Sequence, residues 1–213
     1  MSISYQSFEQ TSNWQDTSWD AIIDVRSPRE FALDHIPNSI NLPVLYDDEH
    51  QLVGRLHKTL GSFEAKVHGA HLVCKNIAEH IDQFWANKQR RFRPLIYCAR
   101  GGQRSASMAT ILGRIGWRVH VLKGGYKHFR KDIVGELETL PQRFRWIVLQ
   151  GQTGSAKTLV LQALAAVGAQ IIDLEDLANH RGSLLGQYPG TNQPKQRFFE
   201  SRIHHSLVSY KQE

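Results

Sequence analysis

A chain of 213 residues with a formal net charge of +6 and two cysteines lacks the cysteine pairing pattern of a disulfide-stabilised secreted domain. Its polar N-terminus has no apolar segment of the signal-peptide kind, and no apolar run approaches the ~20 residues of a membrane-spanning helix, so we expect a cytoplasmic protein without a membrane partner. The 11 histidines show no metal-ligand spacing, and no metal site is predicted.

The first predicted elements are a strand and a short helix within residues 21–44. Residues 22–25 form an apolar run typical of a buried strand. Pro28 suits the first turn of a helix, where its missing N–H group is not needed. Asp24 and Arg26 flank the end of this strand, so we expect them to pair with each other or with loop N–H groups. Their predicted role is to brace a neighbouring loop and not to react.

A longer helix is predicted in the segment HLVCKNIAEHIDQFW, whose apolar residues recur at helical spacing. We interpret Cys74, within this segment, as a structural or partly exposed helix residue. Positive charge concentrates just beyond it, in the run KQRRFR at residues 88–93. This cluster is compatible with a polyanionic partner such as RNA and equally with a solvated helix end, so the sequence leaves both interpretations open.

The run LIYCARGGQRSASMATIL predicts a buried strand at residues 95–97, a tight loop at 98–103 and a helix from about Arg104. Cys98 ends the strand just before the helix, where N–H groups and the helix dipole stabilise an anion. We therefore expect a lowered pKa and a reactive thiolate. Glycines let such a loop turn its N–H groups inward. The predicted anion-binding loop comprises Arg100, Gly101, Gly102, Gln103 and Arg104, whose two arginines add positive charge.

These segments, followed by LKGGYKHFR at residues 122–130, occur in the order found in rhodanese-type sulfurtransferase domains, which they resemble. The resemblance implies an α/β domain over residues 1–140, with a parallel sheet flanked by helices. Two other readings of the cysteine loop stay open. A generic sulfurtransferase needs only this domain, and a cysteine phosphatase is possible because Cys98 and Arg104 have C-x5-R spacing. Tyr97, however, stands where such phosphatases usually have histidine.

A second unit is predicted over residues 144–213, where FRWIVLQGQTGSAKTLVLQALAAVGAQIIDL has the pattern strand, loop, helix, strand. The first strand is predicted at residues 146–149. The loop GQTGSAKT is a near match to the phosphate-binding pattern G-x-x-x-x-G-K-[ST]. Ala156 replaces the last glycine, and it costs about 1 kcal/mol if that position has positive φ. The phosphate-binding residues predicted from the pattern are Gly151, Gly154, Ser155, Lys157 and Thr158.

Taken along the whole chain, these motifs resemble tRNA 2-selenouridine synthases, which join a rhodanese domain to a P-loop domain. The insert at residues 53–73, and the segments at 171–187 and 193–200, resemble pieces of that family. The resemblance implies that selenium replaces sulfur in the wobble 2-thiouridine of tRNA through a geranylated intermediate. It also implies Cys98 as chalcogen carrier, Gly69 in a supporting role, no tightly bound cofactor, and tRNA, selenophosphate and geranyl diphosphate as substrates.

The P-loop unit is short. After Thr158 the chain has 55 residues, whereas a domain of this kind needs ~150. We therefore expect a C-terminally truncated, incomplete P-loop NTPase-like α/β unit after the rhodanese-like domain. An inactive truncated remnant is a further alternative to an active synthase.

Overall fold

The computed structural model describes residues 7–152, 154–182 and 186–211. The chain divides into two compact units, Met1–Lys131 and Asp132–Glu213, which are described separately below.

Five strands form one sheet in the first unit: β1 (Glu9–Thr11), β2 (Ala21–Asp24), β3 (Ile40–Asn41), β4 (Pro94–Tyr97) and β5 (His120–Leu122). All paired strands are parallel, in the spatial order β1-β5-β4-β2-β3. The strands predicted near residues 22–25 and 95–97 are confirmed, each beginning one residue earlier. All four residues of β4 are buried, as a central strand of a parallel sheet requires.

The helices of this unit are α1 (Pro28–Leu33), α2 (Asp47–Thr59), α3 (Ser62–His80), a π-helix (Ile81–Trp85), α4 (Gln103–Ile115) and α5 (Gly125–Thr139), which continues into the second unit. The predicted α/β class, a parallel sheet flanked by helices, is therefore confirmed. The helix predicted at Pro28 is confirmed as well. Ser27 and Glu30 form a capping box at its start, which satisfies N–H groups that the helix leaves unpaired.

The core of the first unit lies on the sheet. Ile23, Ile96 and Val121, from three neighbouring strands, are fully buried with Leu112 of α4 and with Trp85. Burying an aliphatic side chain of this size stabilises a fold by roughly 1.5–3 kcal/mol. The end of β4 and the start of α4 are thus held by the buried core of the unit.

Helices α2 and α3 form the insert and pack on each other. Gly69 is buried in α3, and a Cβ atom there would lie 3.5 and 3.6 Å from the Val53 methyl groups of α2. The structure therefore places Gly69 where two helices approach closely, and not in the cysteine loop. Cys74 is exposed on α3, and its prediction as a helix residue is confirmed.

The described part of the second unit contains helices α6 (Lys157–Ala166), α7 (Leu174–Leu177) and α8 (Gln196–Ser209), a 3-10 turn at Leu140–Arg143, and an isolated bridge between His180 and Gln187. The strands predicted at 146–149 and near Ile171 are wrong, because both segments have no regular structure. Ile147 is 93% exposed and Val148 is 82% exposed. A parallel strand needs neighbours for its N–H and C=O groups, and the described residues of this unit supply none.

Across the described ranges, no helix combines the length and the apolar character needed to cross a membrane.

Candidate active site

Cys98 follows the last residue of β4, and the loop that it begins ends where α4 starts at Gln103. The predicted order of strand, loop and helix is confirmed. Gly101 has φ +65°, and a Cβ atom there would lie 2.8 Å from the Leu122 carbonyl oxygen and 2.9 Å from the Gly124 nitrogen. Only glycine fits this tight, left-handed position, so the loop conformation depends on the residue type that the sequence provides.

The thiol of Cys98 is buried and surrounded by hydrogen-bond donors. Its Sγ atom lies 3.2 Å from the Gly102 nitrogen, which donates to it, and 3.2 Å from the Ser105 hydroxyl oxygen. Burial raises the pKa of Cys98, but the Ser105 hydroxyl and the N–H groups of Arg100, Ser105 and Gly102 lower it by more. The pKa therefore lies below the ordinary value for a cysteine, in the direction that the sequence predicts.

Ser105 is a residue of the site that the sequence reasoning missed. It is fully buried in the first turn of α4, and its single hydroxyl proton reaches either the Gly102 carbonyl, 3.0 Å away, or the Cys98 sulfur. A small polar residue seven positions after the cysteine, on the buried face of a helix, is the signal that could have identified it. Its hydroxyl gives the thiolate a donor in addition to the backbone N–H groups.

The two loop arginines differ in their surroundings. Arg100 is exposed, whereas Arg104 donates to both Glu30 carboxylate oxygens, at 2.6 and 3.2 Å. Gln103 is exposed as the first residue of α4. The ion pair and the capping N–H group of Ser27 bring the pKa of Glu30 below its usual range although burial raises it. The Arg104 guanidinium therefore binds the Glu30 carboxylate. A cysteine phosphatase uses the arginine of its C-x5-R motif to bind the substrate phosphate, so this ion pair does not support the phosphatase interpretation.

Asp24 and Arg26 pair with each other, which is one of the two arrangements predicted. The Arg26 Nη2 atom lies 2.6 Å from the Asp24 carboxylate and 2.7 Å from the Asp34 carbonyl oxygen. The guanidinium also stacks 4.0 Å from the ring centre of Tyr126. Tyr126 in turn donates from its hydroxyl to the Asp34 carboxylate. This buried network joins the end of β2 to the beginning of α5.

Backbone N–H groups at the start of α5 bind the carbonyl groups of the cysteine loop. Tyr126 donates its N–H to the Cys98 carbonyl at 2.8 Å, and Lys127 donates to the Ala99 carbonyl at 3.0 Å. A Cβ atom on Gly125 would lie 2.2 Å from the Cys98 carbonyl oxygen and 2.6 Å from the Gly101 nitrogen. Gly125 therefore permits a backbone contact that no other residue allows. The run GGYK carries this signal in the sequence, although its contact with the loop could not be read from it.

The predicted phosphate-binding loop precedes α6 in the second unit. Gly154 has φ +82° and Ala156 has φ +59°, so alanine occupies a left-handed position where the pattern has glycine. The Lys157 ammonium donates to the carbonyl groups of Gly151 and Gln152, each at 3.0 Å. Ser155 bonds to Gln152 through its hydroxyl. Thr158 lies in the first turn of α6, as the pattern requires.

Within residues 7–152, 154–182 and 186–211, no group of three or more His, Cys, Asp and Glu side chains is arranged to hold a metal ion.

A cysteine with a lowered pKa at the carboxyl end of a central parallel strand, hydrogen-bonded by N–H groups, is the arrangement of a rhodanese-type domain, and the rhodanese-like domain model matches residues 7–132. The chain belongs to the rhodanese-like domain family. Residues 144–213 match a second family model, described as the tRNA 2-selenouridine synthase AAA domain. The resemblance to tRNA 2-selenouridine synthases is thereby confirmed across both units.

Curated relatives named tRNA 2-selenouridine synthase extend this similarity. The protein from Sulfurovum sp. (strain NBC37-1) is 40% identical over 188 residues, covering 88% of this chain and 50% of the relative. The protein from Nitrosomonas eutropha is 34% identical over 192 residues, covering 90% and 49%. The chain thus spans about half the length of these relatives.

Among solved structures, the N-terminal domain of a protein from Clostridium difficile 630, named as an ATP/GTP binding protein, is 35% identical. The match covers 54% of this chain and 88% of that domain, with a TM-score of 0.47.

Proposed function

We propose that this protein acts as a tRNA 2-selenouridine synthase, replacing sulfur by selenium in the wobble 2-thiouridine of tRNA, with Cys98 as the chalcogen carrier. The observation that carries the proposal is the environment of the Cys98 Sγ atom, where the Gly102 N–H and the Ser105 hydroxyl both lie at 3.2 Å. Relatives that bear this name match the chain across both of its units. Their similarity supports tRNA as the substrate.

The first step is loading of the carrier. Selenium in selenophosphate is at the selenide level, so loading uses a two-electron oxidant, a low-molecular-weight disulfide. The Cys98 thiolate attacks this disulfide and forms a mixed disulfide, and one thiolate leaves. Water attacks the phosphorus of selenophosphate to give phosphate, and the selenide that leaves with the electron pair attacks the Cys98 sulfur and expels the second thiolate. The product is a selenenylsulfide anion on Cys98. Loop N–H groups that stabilise a thiolate stabilise this extended anion by the same hydrogen bonds. The lowered pKa of Cys98 increases the fraction of the nucleophilic thiolate at neutral pH.

The second step takes place on the tRNA. The 2-thiouridine sulfur is alkylated by geranyl diphosphate, and diphosphate leaves. The terminal selenium on Cys98 then attacks C2 of the base, and the geranylated sulfur leaves as a thiolate. A low-molecular-weight thiolate attacks the Cys98 sulfur, so the S–Se bond breaks with its electron pair on selenium, which gives 2-selenouridine and restores the mixed disulfide on Cys98. The loop formed by residues 151–158 suits a diphosphate ligand, because glycine-rich backbone and a lysine at a helix N-terminus are a common anion-binding arrangement. We assign the geranyl diphosphate to this loop.

The test separates the two steps. The purified chain is incubated with selenophosphate and a low-molecular-weight disulfide, and the mass of selenium added to the peptide that contains Cys98 is measured, with Cys98→Ser and Cys74→Ser as matched variants. We expect loading in the wild type and in Cys74→Ser and none in Cys98→Ser. Geranylated tRNA and a low-molecular-weight thiol are then added, and 2-selenouridine is measured in the digested RNA. Loading of sulfur from thiosulfate, without selenium incorporation into tRNA, would instead identify a generic sulfurtransferase.

A further inference from the structure

A cavity of about 440 Å³ lies at the amino-terminal ends of the strands, whereas the cysteine loop lies at their carboxyl-terminal ends. Glu9 and His120 begin two neighbouring strands, β1 and β5, and face each other in the sheet register. Arg93 directly precedes β4. Cys98 follows the other end of β4, about five residues and ~16 Å away along the strand. The cavity therefore lies apart from the site that carries the thiolate.

The walls combine positive charge with aromatic surface. Lining residues include Phe8, Glu9, Arg93, Trp117, Arg118 and His120. Arg118 is exposed, and Trp117 is partly buried. The Glu9 carboxylate also faces the cavity, but it lies 3.2 Å from the His120 Nε2 atom. Two guanidinium groups beside aromatic rings are a combination that binds a phosphate group joined to a planar base.

The guanidinium of Arg93 is held in place before any ligand arrives. It stacks 4.4 Å from the ring centre of Trp19 and donates to the Ser18 hydroxyl at 2.5 Å. The Asp20 carboxylate accepts from the backbone N–H of Arg93, and no salt bridge to the Arg93 side chain occurs among the described residues. A fixed arginine loses little side-chain entropy when it contacts a phosphate.

The basic run at residues 88–93 leads into this cavity. Arg90 and Arg91 are exposed just before Arg93, and the Gln89 carbonyl accepts a hydrogen bond from the Trp117 indole at 3.1 Å. The run is thereby fastened beside the aromatic wall of the cavity. A polyanionic strand that followed the exposed arginines would reach the cavity directly, whereas a small isolated anion would not use them.

We infer that this cavity binds one nucleotide of a single-stranded RNA segment, with its phosphate on Arg93 and Arg118 and its base against Trp117. The inference rests on the proposed function, because it takes RNA as the substrate class. It adds a contact site at the amino-terminal ends of the strands, separate from the thiolate at their carboxyl-terminal ends. Any base can stack on an aromatic ring. The site therefore positions the RNA strand without selecting a base sequence.

The test measures binding of a labelled oligouridine to the full chain by fluorescence anisotropy over a range of salt concentrations. Arg118→Ala removes one phosphate contact, so we expect weaker binding and a slope of log affinity against log salt that is smaller by about one. Arg118→Lys retains the charge and restores the slope. Arg55→Ala, which removes an exposed arginine on α2, is the matched control and leaves both quantities unchanged.

Ultraviolet crosslinking of the bound oligouridine locates the base independently of any substitution. We expect the crosslinked peptide to contain Trp117 or Phe8. An unchanged salt slope in Arg118→Ala, a crosslink elsewhere in the chain, or displacement of the oligouridine by inorganic phosphate at matched ionic strength would overturn the inference. Selenium loading on Cys98 does not depend on Arg118, so a chain that loads normally but fails these tests leaves the proposed function intact.

Discussion

The hydroxyl oxygen of Ser105 lies 3.2 Å from the Sγ atom of Cys98, and both residues are buried. This contact is one of the causes that bring the pKa of Cys98 below its ordinary value despite the burial of the thiol. A side chain in the first turn of α4 therefore acts together with the backbone N–H groups to favour the thiolate. The pairing can be tested without altering the cysteine.

Ser105→Ala raises the pKa of Cys98, because the thiolate loses a hydrogen-bond donor while its burial is unchanged. The thiolate is the reactive form, so the pH profile of alkylation by iodoacetamide moves to higher pH. A hydrogen bond to a charged group contributes roughly 1.5–3 kcal/mol, so the rate on the acidic side falls about tenfold or more. Ser107→Ala is the control, since the Ser107 hydroxyl bonds to the Gln103 carbonyl in the same helix. Equal profiles for the two variants would contradict the assignment.

Gly125→Ala disrupts the cysteine loop. Gly125 has φ +56°, and the added Cβ atom would lie 2.2 Å from the Cys98 carbonyl oxygen. We expect the free energy of unfolding in urea to fall by more than about 2 kcal/mol, from backbone strain together with the steric clash. Loading of Cys98 falls with it. Gly135→Ala in the same helix is the control. Its Cβ atom meets nothing within 4 Å, and it stabilises the helix by up to about 1 kcal/mol.

Glu30→Gln removes the charge that Arg104 contacts. The folded pKa of Glu30 lies below its ordinary value, so its ionised form contributes stability above the ordinary pKa of about 4.3. That contribution is lost as the pH falls through the folded pKa. We expect the variant to be less stable by about 1 kcal/mol near neutral pH, given partial solvent screening, and the difference to vanish in acid. Urea unfolding at several pH values measures it, and a difference that persists in acid would refute the charge-based explanation. Glu79→Gln, at an exposed position of α3, shows no such dependence.

Ala156→Gly relieves backbone strain at the start of α6. Alanine at φ +59° costs about 1 kcal/mol relative to glycine, and its methyl group narrows the approach of a phosphate. We expect inorganic diphosphate to bind severalfold more tightly to the variant, as measured by titration calorimetry. Ala163→Gly is the control. It lies inside α6, where glycine destabilises the helix by about 1 kcal/mol and touches no part of the loop. Equal affinities in the variant and the wild type would show that Ala156 does not restrict the loop.

Local sequence signals predicted those parts of the cysteine site whose conformation depends on residues nearby in the sequence. The strand, the glycine loop and the following helix lie within one continuous run, so their order and the direction of the Cys98 pKa follow from short-range rules. Glu30 and Gly125 were missed as parts of the site because their contacts are distant along the chain. Glu30 meets Arg104 across 74 positions, and no spacing rule for a single element covers that separation.

The strand predicted at residues 146–149 was wrong for a different physical reason. An apolar, β-branched run has a high intrinsic preference for extended structure, but a parallel strand forms only beside another strand. Its partners cannot be inferred from the run itself. The phosphate-loop pattern was more reliable, because its glycine positions specify local backbone angles. The left-handed conformation of Ala156 agrees with the pattern even though the residue type does not.

The hydrogen bonds from Tyr126 and Lys127 to the Cys98 and Ala99 carbonyls bear on when the site is assembled during protein synthesis. A nascent chain emerges from the ribosome with Cys98 ahead of these donors by more than twenty-five residues. Until Gly125 and the beginning of α5 have emerged and packed against the loop, the loop carbonyl groups lack these two backbone donors. In the unfolded chain Cys98 lacks the Ser105 hydroxyl and the loop N–H groups that lower its pKa, so the lowered pKa develops only when the first unit has folded. The fold thereby delays the reactivity of its own cysteine until the site around it is complete.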